Sequence, residues 1–145
     1  HKGYAAELEA TQASVKRMRE AGIRVLVGGD YGLNITPHGT YAKELQYFTD
    51  YFGFSAGEAL QAATKHGGEA FMPDGSLGTL EAGKIADMVI VKGNPLEQIG
   101  VLQDADAIAA VIKEGQIYTG LLDNQSPHQK NAEQLNQLLG ARPCN

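Results

Sequence analysis

Ile23-Arg24-Val25-Leu26-Val27-Gly28-Gly29-Asp30 is the stretch on which the fold turns. It is short, rich in β-branched residues and nearly continuous in apolar character. That pattern predicts a strand covered on both faces, as in a parallel α/β sheet, rather than a helix. Gly28-Gly29-Asp30 ends it. On its N-terminal side, Leu8, Val15 and Met18 fall near helical spacing among charged residues and predict a helix from about 5 to 21, stopped at Gly22. On its C-terminal side, Gly32, Asn34, Pro37 and Gly39 mark residues 31–40 as a loop. A helix over about 41–51 follows, with Leu45 and Phe48 as its inward candidates. The aromatic group Tyr41, Tyr47, Phe48, Tyr51, Phe52 and Phe54 reads as helix core. Ser55-Ala56-Gly57-Glu58 matches a capping box, and the helix it opens is expected to stop at Gly67-Gly68. One such strand cannot stand alone, because its ladder hydrogen bonds need neighbours. The pattern therefore implies strands that this chain does not supply.

The character changes near Met72-Pro73-Asp74-Gly75, where glycines begin to separate short apolar runs such as Asp87 to Val91. Ile108 to Lys113, Glu114-Gly115 and Gln116 to Thr119 predict a β-hairpin with a tight turn. Beyond Gly120 the chain is rich in Gln and Asn, and residues 129–139 predict one last helix. The expected division is thus 1–72 for α/β elements, 73–120 for a small β unit and 121–145 for a polar tail.

Composition narrows the function. Twelve Lys+Arg against 17 Asp+Glu give a net charge of -5, which argues against a nucleic-acid binder. No apolar run approaches the roughly 18–20 residues of a membrane span. The single cysteine, Cys144, excludes a disulfide framework within the chain and a cysteine zinc site. One cysteine favours the cytoplasm, with an upstream secretion signal left open. His1 in place of an initiator Met leads us to expect a cut or processed chain.

Asp30 is the leading chemical candidate. A carboxylate behind two glycines, at the C-terminal end of a buried-type strand, can bind a metal or take a proton from a bound water. Aspartate also caps turns after strands, and both readings stay open at this point. His38, between Pro37 and Gly39, could point at a substrate or at solvent. His66 is expected at a helix C-terminus, where the helix dipole favours it, and His1 and His128 at the surface. No H-x-H or H-E-x-x-H pair, phosphate-binding loop or nucleophile elbow is present.

Gly78-Thr79-Leu80-Glu81-Ala82-Gly83-Lys84-Ile85-Ala86-Asp87-Met88-Val89-Ile90-Val91, followed by Gly93-Asn94-Pro95-Leu96, resembles the C-terminal signature of the metal-dependent amidohydrolase superfamily. Residues 23–32 resemble its last barrel strand, and 55–64 the helix after it. The resemblance runs from about Tyr4 to Thr119. It implies the C-terminal part of a (β/α)8 TIM barrel, plus the C-terminal strands of a β-sandwich built from both ends of the gene. It implies Asp30 as metal ligand and general base. The cofactor would be a divalent metal, zinc in the first instance, as one or two ions with most ligands outside this chain.

The loop Asp30-Tyr31-Gly32 with Pro37-His38-Gly39 is similar to the Xaa-Pro dipeptidase-like branch, which implies that His38 and Tyr31 bind substrate. The expected reaction is hydrolysis of an amide bond in a dipeptide or N-acyl amino acid. Opening of a cyclic amide, deamination, or a non-catalytic truncated fragment are the alternatives. The superfamily's paired histidines and bridging residue have no counterpart here, so the chain alone is expected to be inactive. Its expected partners are the N-terminal portion of the same enzyme, a small or peptide-like substrate and further copies of the full enzyme, with neither nucleic acid nor membrane. A family barrel alone needs roughly 250 residues, so 145 residues would be about its last third.

Overall fold

The structure is a computed structural model that describes residues 2–118; the helix predicted over 129–139, His1, His128 and Cys144 lie outside the described residues. Helix α1 spans Lys2–Glu20. Gly22 takes the left-handed conformation (φ 72) that closes it, and the Ile23 N–H reaches back to the Met18 carbonyl at 2.9 Å. Most of α1 is exposed, Leu8 and Met18 included. Its anchor is Arg19, which donates to the Phe52 and Gly53 carbonyls and to Glu58, and lies 4.1 Å over the Phe54 ring. Among the described residues no helix is long and apolar enough to cross a membrane.

The predicted strand over 23–27 does not form one here. These residues carry no regular secondary structure and pair with no strand. Val25 and Val27 pack on the core, whereas Ile23 and Leu26 are exposed. The segment is therefore only partly covered, with Val25 and Val27 half-buried and Ile23, Arg24 and Leu26 exposed.

Helix α2 (Lys43–Phe52) buries Leu45 and Phe48, as the spacing predicts. Gly53 (φ 69) ends it, and the Phe54 N–H closes on the Phe48 carbonyl at 3.1 Å. Of the aromatic group, Phe48, Phe52 and Phe54 enter the core, but Tyr41, Tyr47 and Tyr51 stay exposed. Helix α3 (Ala56–Gln61) begins with the capping box expected from Ser55 and Glu58. The Ser55 hydroxyl accepts the Glu58 N–H at 3.2 Å, and Glu58 accepts the Ser55 N–H at 2.7 Å. With Ile99, these helices form the core of Leu45, Phe48, Ala59 and Ala62.

The helix does not stop at Gly67-Gly68. It passes through a π-helical segment, Ala62–His66, into α4 (Gly67–Phe71). His66 accordingly sits within a continuous helical run and not at its C-terminal end. The reason for Gly68 is proximity: a Cβ there would lie 2.5 Å from the Leu77 carbonyl oxygen and 2.7 Å from Gly78 Cα. Gly78 (φ 97) in turn lies against the Thr64 carbonyl, which its own Cβ would meet at 2.5 Å. Two glycines thus let the helical half and the following loop touch backbone to backbone.

The second half is a three-stranded antiparallel sheet of order β1-β2-β3. Strand β1 (Met88–Val91) pairs with β2 (Ile108–Lys113), with a register shift at Ile90/Val91. Strand β3 (Gln116–Ile117) completes the predicted hairpin. Glu114 (φ 53) and Gly115 (φ 78) both take positive φ, the requirement of a type I′ turn. Asp87 accepts the Glu114 N–H at 2.7 Å and so fixes that turn from β1's side. The sheet buries Ala107 and Ala110. A 3₁₀ turn at Ile99–Gln103 ties it to α2 through Ile99 and through Gln103, which donates to Gln46 at 2.6 Å.

Gly68→Ala is expected to destabilise the fold by about 1–3 kcal/mol through overpacking. Gly67→Ala, whose Cβ would make an ordinary 3.5 Å contact with the Ala62 carbonyl, is expected to be neutral or stabilising by up to about 1 kcal/mol. Urea denaturation of the two variants checks the contrast, and equal midpoints would contradict it. A second expectation concerns pH. Hydrogen bonds from the Ser55 backbone and hydroxyl, then Arg19, hold the Glu58 carboxyl below its ordinary value. A carboxyl depressed in the folded state stabilises above its unfolded pKa, and that contribution is lost as pH falls through the folded one. Glu58→Gln should therefore flatten the acid limb of the melting-temperature profile while changing the slope near neutrality little.

Candidate active site

The C-terminal end of the 23–30 segment lies against the start of α2. Glu44, in the first turn of α2, accepts the Gly28 N–H at 2.9 Å through one carboxylate oxygen. Its other oxygen faces the Tyr31 hydroxyl at 3.4 Å. That hydroxyl is also 3.4 Å from the Tyr41 carbonyl, and the Tyr31 and Tyr41 rings meet edge to face at 4.6 Å. Burial, and after it the Glu44 charge, holds the Tyr31 phenol above its ordinary value. Tyr31 is therefore a neutral hydroxyl at physiological pH.

The loop closes on itself after Asp30. The Thr36 hydroxyl donates to the Asp30 carbonyl at 2.7 Å, and the Gly32 N–H donates to the Thr36 carbonyl at 2.8 Å. The His38 imidazole sits over Gly32, where a Cβ would come within 3.0 Å of Nε2. His38 Nδ1 lies 2.8 Å from the Tyr41 hydroxyl. Tyr41 thus touches both predicted substrate residues, Tyr31 through its ring and His38 through its hydroxyl.

An open groove of about 520 Å³ runs beside this cluster, lined by Gly28, Gly29, Tyr31, Tyr41, Glu44 and Ala63 among others. Asp30 and His38 lie outside its lining. The Asp30 side chain is exposed, and its carboxylate accepts no hydrogen bond from the described residues. A turn-capping aspartate would spend its oxygens on nearby N–H groups; Asp30 keeps them. Gly29 lines the groove, and a Cβ there would come 2.7 Å from the Tyr31 ring.

A carboxylate is a suitable donor for a hard or borderline divalent cation. Among the described residues, however, no three His, Cys, Asp or Glu side chains come together as a metal site. Any cation on Asp30 would need further ligands from outside the described residues.

Sequence reasoning missed Tyr41 and Glu44 as site residues. Glu44 carries only the generic signal of an acidic group in a helix's first turn, and Tyr41 reads as one more helix aromatic.

The amidohydrolase family model matches residues 6–118. Ochratoxinase of Aspergillus niger is 34% identical over 114 residues, which cover 78% of this chain and 22% of that protein. Imidazolonepropionase of Symbiobacterium thermophilum is 30% identical over 110 residues, 76% of this chain and 26% of that protein. A solved structure of a Xaa-Pro dipeptidase with methionine bound in its active site matches with a TM-score of 0.64 at 35% identity, covering 75% of this chain and 25% of that one. The chain thus spans about a quarter of the length of these relatives.

Gly29→Ala should push the Tyr31 ring off its contact with Tyr41 at a cost of about 1 kcal/mol, the low end for overpacking. Aromatic proton NMR checks this: the ring-current shifts of Tyr31 and Tyr41 should change, and unchanged shifts would show that the loop absorbs the methyl elsewhere.

Proposed function

The chain belongs to the amidohydrolase family, and from that premise we propose that it supplies the Asp30-bearing, C-terminal part of an enzyme that hydrolyses amide bonds. The observation that carries the proposal is Asp30 itself. Its carboxylate is exposed and unspent, at the end of a segment tied down by Glu44 and Thr36. In this reading Asp30 accepts the proton of the water that attacks the amide carbonyl. Asp30 is also one ligand of a divalent metal, zinc in the first instance, whose other ligands come from a preceding portion of the enzyme. Bound there, the metal supplies Lewis-acid polarisation of the carbonyl.

Tyr31, as a neutral hydroxyl, and His38, braced by Tyr41, bind the substrate in this proposal. The substrates we propose are dipeptides or N-acyl amino acids. The likeness to a Xaa-Pro dipeptidase structure supports that choice. A second reading, a cyclic amide, is favoured by the similarity to imidazolonepropionase. We propose further that residues 1–145 are inactive until joined by the N-terminal portion, in keeping with the quarter of each relative that they span.

The test is hydrolysis by the complete enzyme of a panel of Xaa-Pro dipeptides, N-acyl amino acids and cyclic amides. Asp30→Asn is expected to lower kcat/KM by about 10²–10⁴-fold, the worth of a positioned general base, with the melting temperature retained. Full activity in Asp30→Asn would sink the assignment of Asp30. Activity confined to the cyclic amides would favour the second reading.

A further inference from the structure

We propose that Glu44 is a positioning residue: one carboxylate on α2 sets where the Asp30 carboxylate is presented, by holding the chain on both sides of it. Glu44 accepts the backbone N–H of Gly28, two residues before Asp30, at 2.9 Å. Its second oxygen lies 3.3 Å from where a Cβ of Gly29 would stand and 3.4 Å from the hydroxyl of Tyr31, the residue after Asp30. Between Arg24 and Gly29 the backbone makes no other hydrogen bond among the described residues. The segment's backbone is therefore fixed laterally at one point, and that point is Glu44.

The clamp has a rigid base. Leu45, next along the helix, is 8% exposed and Phe48 is 4% exposed, so α2 is seated in the core and cannot follow a wandering loop. A hydrogen bond from a backbone N–H to an ionised carboxylate is of the stronger kind. Glu44 reaches no reacting atom in this arrangement; it acts through Gly28. The inference rests on the reading of Asp30 given above.

Glu44 could instead serve only as a negative charge near the N-terminus of α2, where the helix dipole favours one. Two conservative variants separate the roles because they fail in opposite ways. Glu44→Gln removes the charge but keeps an acceptor oxygen at the same reach. Glu44→Asp keeps the charge but withdraws it by about 1.5 Å, one carbon–carbon bond.

The measurements are amide hydrogen exchange at Gly28 and kcat and KM for amide hydrolysis, both in the complete enzyme. We expect Glu44→Asp to speed Gly28 exchange by about tenfold or more, as loss of a charge-assisted hydrogen bond implies. It should lower kcat by about 10–10²-fold through misplacement of Asp30, with KM nearly unchanged, while Glu44→Gln stays close to wild type in both. Wild-type behaviour of Glu44→Asp together with loss in Glu44→Gln would overturn the clamp in favour of the dipole role. Unchanged Gly28 exchange in both variants would overturn it outright. If the wild-type enzyme hydrolyses no amide, the reading of Asp30 fails, and Gly28 exchange still decides whether Glu44 holds this loop.

Discussion

Backbone N–H and C=O groups away from water need partners, and the segment from Ile23 to Asp30 finds few. Ile23 is bonded back to α1, Gly28 to Glu44, and the Asp30 carbonyl to Thr36. Between those points the chain is held by side-chain packing, with Val25 and Val27 against the core of α2 and α3. Ile23 and Leu26 stay exposed, and such apolar exposure suits a strand that has neighbours. In a strand, neighbouring ladders would fix Asp30; in this chain the start of α2 does it. Tyr41 lies just before α2, and Glu44 and Leu45 are neighbours in its first turn; Leu45 seats the helix and the other two brace the loop.

The same economy governs the junction of the two halves. The Gly78-to-Asp87 stretch makes several contacts that join the two halves. Gly78 abuts the Thr64 carbonyl, and Lys84 donates to Thr79 and Glu81 at 2.5 and 2.9 Å. Ile85 bonds back to Ser76, and Asp87 fixes the hairpin turn. The contacts of this motif among the described residues hold the helical half against the sheet. Gly78 and Asp87 answer tight geometric demands at the join between helices and sheet.

How much of this was visible in the sequence depends on how far each determinant reaches along the chain. The Ser55–Glu58 box, the Leu45/Phe48 face and the Glu114-Gly115 turn depend on residues within a few positions of one another, and all three form as expected. Gly67-Gly68 looks locally like a helix stop, yet the helix runs on to Phe71 because Gly68 is needed for contact with Leu77 and Gly78. Tyr41 looks like core packing, yet it stays exposed and braces His38. Glu44 gives no local signal for its bond to Gly28, which lies 16 residues upstream.

The sequence by itself determined the family, the candidate carboxylate, the Ser55–Glu58 capping box and the hairpin, because each is encoded in residue type at short spacing. It also determined that residues 23–27 have the composition of a buried strand. Only the tertiary structure decided which groups hold Asp30 in place, why Gly68 must lack a side chain, and that Tyr31 and His38 meet through Tyr41. Those are contacts between segments distant in sequence. Their partners are chosen by how α2 seats in the core, which no local pattern records.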